Sequence, residues 1–196
     1  MKKITVLLTL VSLIFTLNAQ TSDSTLAGFK KISFEDLNQS TYKLIANDWA
    51  LLTGGDTSSF NTMTISWGGF GCLWSLPVTF VFVKPERFTF GFMEKSGLYT
   101  LSFFDHEKYK DDLRICGTKS GRDGDKLKET KLSLITTPNG LKAFNEAEII
   151  IECEVVYSDF LDEKGILHEP ATKWYNGEKF HKMYVGKVLA VWVKEK

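Results

Sequence analysis

The sequence predicts a mainly β domain, a small barrel with short helical insertions, and three observations lead there. Short runs rich in Val, Ile, Phe and Thr recur along the chain, each bounded by Gly, Pro, Asn or Asp. Aromatic residues make up 13% of the chain and fifteen of them are Phe, a composition that favours strands and a core of large flat surfaces. Strict alternation of strands and helices is absent, which argues against a doubly wound parallel sheet. A length of 196 residues suits one domain with a proper core and crowds two.

Taken in order, the chain opens with a candidate export leader. Lys2 and Lys3 precede an apolar run from Ile4 to Leu17, and Asn18-Ala19 is a plausible end, so residues 1–19 read as a signal peptide. The run is short for a bilayer span, which needs about 20 apolar residues. An uncleaved anchor or a buried N-terminal helix are the alternatives. Residues 20–31 are small and polar, a mobile lead-in, and the folded domain is expected over 32–196. Ser33 should cap a short helical turn, and Leu44 to Thr53 should form a first core strand, stopped by the turn residues Gly54-Gly55-Asp56. Val78 to Val83 reads as a central strand ended by Lys84-Pro85. Thr89 to Ser96 reads as a short helix with Gly97 beyond its end. Tyr99 to Phe103 is a further strand. Asp105 caps a helix running to Cys116 and closed by Gly117. Lys126 to Thr130 gives a turn of helix, and Leu132 to Ile135, Ala147 to Tyr157 and Tyr184 to Val193 complete the strands.

The stretch from Asn61 to Gly71 is chemically the most pointed. Met63, Ile65 and Trp67 fall on one face of an extended strand, and Thr62, Thr64 and Ser66 on the other. Three hydroxyls in a row followed by glycines suit a flat, polar-edged ligand held by side-chain and main-chain donors. On pattern alone the ordinary reading is an amphipathic strand with its hydroxyl face in solvent, ending in a glycine-rich turn. Arg87 with Thr89, just after a core strand, is a candidate for an anionic group, since the guanidinium fork donates two parallel bonds. Ser120-Gly121-Arg122-Asp123 with Lys126 is a second, able to form an anion-binding concavity. A solvated loop held by an Arg–Asp pair is its alternative.

Several separated motifs together resemble the flavin reductase-like family, whose fold is a split β-barrel of Greek-key type that binds FMN. They are Asn61-Thr62-Met63-Thr64 with Ser66-Trp67-Gly68-Gly69, Pro77-Val78-Thr79-Phe80-Val81, Arg87-Phe88-Thr89, Leu101-Ser102-Phe103-Phe104, Cys116 to Asp123, and Trp174-Tyr175 with His181 and Tyr184. The similarity runs from about Ile32 to Val193, and it is specific for family and much less so for substrate. The resemblance implies that Asn61, Thr62, Met63, Thr64, Ser66 and Trp67 lie along the ring and ribityl-phosphate of the flavin, with Met63 and Trp67 acting through backbone or core packing. It implies phosphate contact by Arg87 and Thr89. Ser120, Arg122, Asp123 and Lys126 would close the site, Asp123 orienting a neighbour, and Trp174 and His181 would lie near the flavin or a dimer contact. The implied cofactor is FMN, with FAD possible and NAD(P)H as a co-substrate. The implied assembly is a homodimer with flavin at the subunit boundary.

Composition and spacing exclude several other functions. Lys and Arg number 24 against 24 acids; without Lys2 and Lys3, 22 remain, a poor balance for sequence-independent nucleic-acid binding. Gly69-Phe70-Gly71 begins a dinucleotide fingerprint and does not complete it. Gly117-Thr118-Lys119-Ser120 imitates the end of a phosphate loop without its leading glycine. His106, His168 and His181 have no metal-ligand spacing, nor have Cys72, Cys116 and Cys153, of which at most one pair could bridge. The resemblance implies hydride or electron transfer through a bound flavin, with no catalytic side chain required. Export is in tension with a nicotinamide donor and leaves a non-enzymatic electron-relay protein as the alternative.

Overall fold

The computed structural model describes residues 25–195; the expected leader, residues 1–19, lies outside them. The elements are β1 (Phe29–Ile32), β2 (Ala50–Gly55), β3 (Phe60–Ile65), β4 (Gly68–Leu73), β5 (Leu76–Val83), α1 (Phe88–Ser96), β6 (Leu98–Phe103), α2 (His106–Thr118), β7 (Leu134–Thr136), β8 (Lys142–Phe144), β9 (Ile149–Phe160) and β10 (Lys182–Lys194). The main sheet has the order β3-β2-β6-β9-β10-β5-β4, with β1 paired to the far end of β10, and β7 and β8 form a separate hairpin. Every pairing is antiparallel.

The two longest strands, β9 and β10, form the spine. Their register shifts at Val185/Gly186 and at Val188/Ala190, and such bulges bend a strand and increase its twist. The sheet therefore curls. Phe70 on β4, at one end of the strand order, meets Phe103 of β6 edge-on with ring centroids 5.8 Å apart. Tyr99, Leu101, Ile151, Tyr184 and Val191 fill the same interior with Met63 and Ile65 of β3. The opposite face is covered by α2 and the β7–β8 hairpin over Leu51, Phe104, Leu113, Phe144, Ile150 and Trp192. A carboxylate sits within this outer layer: Glu152 is fully buried and accepts from Thr137 Oγ1 at 2.6 Å and Trp192 Nε1 at 2.5 Å.

The central and C-terminal strands lie where the sequence places them, and Gly97 ends α1 in the left-handed region at φ 65°. Four expectations need correction. Phe29–Ile32, within the stretch read as a mobile lead-in, is strand β1, and Leu26 and Phe29 are buried. Leu44 does not begin a strand: Lys43–Asn47 is a π-helical turn that buries Leu44 and Ile45, and β2 starts at Ala50. The glycines at 68, 69 and 71 belong to β4 rather than to a turn; the turn is Trp74-Ser75, with φ of 53° and 59°, a primed hairpin connection. Gly117 lies inside α2, which ends at Thr118. A Cβ there would stand 3.2 Å from Cβ of Thr64, so the missing side chain is what lets the helix lie close on β3. Cys72, Cys116 and Cys153 are all free; burial pushes the Cys116 thiol up to about 11 and that of Cys153 to about 12. Among the described residues no helix is long and apolar enough to cross a membrane, and no group of side chains could hold a metal ion.

Candidate functional site

β3 alternates as its sequence requires, and α2 decides what its hydroxyl face can do. Thr62 Oγ1 donates to the carbonyl of Leu52 at 3.3 Å and lies 3.1 Å from Thr53 Oγ1. Thr64 Oγ1 donates to the carbonyl of Leu113 in α2 at 2.5 Å. Thr62 is buried and Thr64 half-buried, and both hydroxyls are taken by partners within the protein. The expected ladder of three ligand-facing hydroxyls thus reduces to Ser66, which is exposed. The strand also ends at Ile65, so alternation no longer governs Trp67. Instead of packing in the core with Met63 and Ile65, Trp67 stands 40% exposed.

Trp67 forms one wall of a groove of about 380 Å³. Its ring centroid is 4.9 Å from that of His181 and 5.6 Å from that of Trp174, the two indoles meeting edge to face. The backbone end of β3, with Phe82, Lys84 and Arg87, completes the lining. Lys84, at the end of β5, donates to the carbonyl of Trp174 at 3.3 Å and pairs with Glu178, tying down the segment that carries Trp174. Nδ1 of His181 lies 3.2 Å from the hydroxyl of Tyr175. Burial, and then the neighbouring Lys84 and Arg87 cations, bring His181 down to about 4, so the ring is neutral at physiological pH.

A second hollow of about 290 Å³ adjoins the groove and shares Met63 and Arg87 with it. Arg87 stands at the N-terminus of α1 and donates through Nη1 to the carbonyl of Gly117 at 3.0 Å. Arg122 donates to the carbonyl of Glu86 at 2.9 Å, its guanidinium over the Phe88 ring at 5.0 Å. Ser120 Oγ accepts from the Arg122 backbone N–H at 3.2 Å. Asn61 Nδ2 donates to Thr89 Oγ1 at 2.7 Å, and Gly121 presses on the amide oxygen of Asn61 so closely that any Cβ would overlap it. Lys126 is buried, donates to the carbonyls of Cys116 at 2.8 Å and Lys119 at 3.0 Å, and is lowered in pKa chiefly by that burial.

Of the fourteen residues singled out in the sequence, twelve line the groove or the hollow. Thr62 and Asp123 line neither. The structure adds Lys84 and Phe82 to the groove and Lys119 to the hollow. Lys119 carried a signal in the imitation of a phosphate loop, whereas Lys84 depends on a contact with residue 174, far along the chain.

The donor set fits a flavin nucleotide. Flat indole and imidazole walls suit a ring system, and the adjoining hollow offers guanidinium groups and a serine hydroxyl to a phosphate. The groove is within the range of about 300–1,000 Å³ usual for small-molecule sites, and Arg87 spans the junction. No curated protein sequence matches the chain. Solved structures do. An FMN-binding protein from Thermus thermophilus with bound p-hydroxybenzaldehyde is 22% identical at a TM-score of 0.59, over 74% of this chain and 70% of its own. The FMN-binding domain of a flavin reductases-like enzyme from Shewanella baltica is 14% identical at a TM-score of 0.62, over 85% and 77%. Flavoredoxin of Desulfovibrio vulgaris is 18% identical at a TM-score of 0.59, over 85% and 78%. At these identities the likeness establishes the split-barrel fold. A sequence profile described as "Flavin reductase like domain" matches residues 42–196, most of the chain, and the protein belongs to that family.

Proposed function

We propose that this protein binds FMN, with FAD as a larger alternative, and passes electrons from a nicotinamide donor through it. The observation that carries the reading is the trough itself: an aromatic groove and a cationic hollow joined at Met63 and Arg87. When bound, the flavin supplies the hydride and electron chemistry. The chain supplies position and electrostatics. Trp67 and His181 hold the flat ring, and Arg87, Arg122 and Ser120 take the phosphate. The main chain from Met63 to Ser66, which lines the groove, would offer its polar groups to the edge of the ring. His181 contributes no charge beside the ring at neutral pH, because burial and two cations keep it unprotonated. No side chain need act as acid or base.

The exposure of Trp67 at 40% and Trp174 at 57% supports a second copy of the chain closing the groove, as a homodimer. The leader read at residues 1–19 supports export, and with it the second reading, an exported FMN relay charged by another protein rather than by NAD(P)H. Titration with FMN, followed by flavin fluorescence, tests the first step; quenching that saturates is expected, and its absence overturns the flavoprotein. NADH oxidation with FMN present then separates the two readings. A rate no greater than that of FMN alone leaves the relay.

A further inference from the structure

Beyond Trp67 lies another hollow, of about 420 Å³, separated from the groove by Ser66 and Trp67, which line both. Its other walls are Tyr42, Ile45, Ala46, Trp49 and Gly68. None of these lining residues is charged, in contrast to the guanidinium-bearing hollow on the opposite side of the groove. A charged ligand there would find no opposite charge among the lining side chains, only the hydroxyls of Ser66 and Tyr42, whereas a neutral ring would meet two indoles and a phenol.

The backbone here is unusual in two independent ways. Lys43–Asn47 is a π-helical turn, a rare conformation that concentrates at functional sites. Trp49, a bulky residue, sits at φ 64°, in a region that such side chains rarely occupy. Both features are held from outside the hollow. His106, at the start of α2, bonds through Nδ1 to the carbonyl of Asp48 at 2.8 Å and meets the Trp49 ring edge-on at 5.2 Å. Lys43 pairs with Asp48 across the turn. The hollow is therefore braced open by contacts that do not occupy it.

We propose that this hollow binds a neutral, flat aromatic molecule of one or two fused rings between Tyr42, Trp49 and Trp67, beside the groove. The binding stands on the geometry alone and does not depend on the flavin reading. A nicotinamide dinucleotide, with its diphosphate, has the wrong charge for these walls, so the ligand is a different molecule from the hydride donor.

The test uses 2-naphthol as probe and 2-naphthalenesulfonate as its anionic counterpart, followed through the indole N–H resonances of the whole protein, with and without FMN. 2-Naphthol is expected to shift the Trp49 and Trp67 signals saturably, to leave Trp174 and Trp192 in place, and to bind at least about tenfold more tightly than the sulfonate, a ratio worth roughly 1.4 kcal/mol. Ala46→Glu should weaken 2-naphthol about tenfold or more by the same measure, with FMN affinity and circular dichroism unchanged. Shifts centred on Trp174 and abolished by FMN would place the probe in the groove and overturn the proposal. Equal binding of the two probes, or no saturation at Trp49, would overturn it as well. If FMN fails to bind while 2-naphthol still saturates Trp49, the flavin reading falls and the hollow stands.

Discussion

Asn61 and Thr89 are joined by a 2.7 Å hydrogen bond from Nδ2 to Oγ1, which locks the second residue of β3 to the first turn of α1. The other end of the same amide faces Gly121, in the loop that carries Arg122. One side chain thus sets the distance between both arginines and the strand. Gly121→Ala would drive its Cβ into the Asn61 oxygen, and the buried amide, held at Thr89, has little room to yield. The variant is expected to lose about 1–3 kcal/mol of stability, as overpacked sites do, and to bind FMN more weakly while binding riboflavin nearly as before. Chemical denaturation and paired titrations measure the two effects. Unchanged FMN affinity would detach the loop from the phosphate.

Arg87 offers the sharper test of where the phosphate lies. Its guanidinium uses one N–H on the carbonyl of Gly117 and has four more to give. Arg87→Ala should weaken FMN by about tenfold to a hundredfold, the worth of a charge-assisted bond, and riboflavin far less. Arg122→Ala should behave alike, and the double variant should show whether the two share one anion. Equal losses for FMN and riboflavin would move the phosphate out of the hollow.

His181 predicts a pH dependence. Its folded value of about 4 lies below the ordinary 6.5 through burial first and then Lys84 and Arg87, against the smaller opposing pull of Glu86 and Glu178. Between those values the unfolded chain binds a proton that the folded one does not. The neutral ring's contribution to stability is thus complete above pH 6.5 and is lost as pH falls toward 4. Partial exposure keeps the energy small through solvent screening, so the titration itself is the measurement. Lys84→Met or Arg87→Met should raise the midpoint of the His181 ring resonance toward 6.5. A midpoint already near 6.5 in the unaltered protein would mean that the groove is wetter than its geometry implies.

Local pattern sufficed for β5, β6, β9 and β10, because runs of β-branched, aromatic and other apolar residues bounded by turn residues have few other ways to bury themselves. It did not suffice at Leu44–Asn47, where an apolar run packs equally well as strand or π turn, nor at Phe29–Ile32, whose four residues gain a strand's shape only by pairing with β10. The loop from Ser120 to Lys126 was legible from its composition. The orientation of Thr62 and Thr64 was not. Which face of β3 meets water is settled by α2 arriving from about fifty residues later, with Thr64 bonded to Leu113, and a strand's own period says nothing of what will cover it. Trp67 was misplaced for a related reason, since a period carries meaning only as far as the strand extends.

Lys126 separates a structural role from a binding one within the same hollow. Its ammonium donates to the carbonyls of Cys116 and Lys119 at the end of α2, where the helix leaves acceptors without partners and a cation is favoured. Lys126→Met would bury these carbonyls unsatisfied, at a cost of about 1–3 kcal/mol each where water cannot reach. The expected result is a lower melting temperature with a frayed α2 end, seen as faster amide exchange in the last turn. FMN affinity should fall by less than in Arg87→Ala, because two of the three ammonium protons already serve the helix. A melting temperature left unchanged alongside a large loss of FMN would reverse the assignment and make Lys126 the principal phosphate cation.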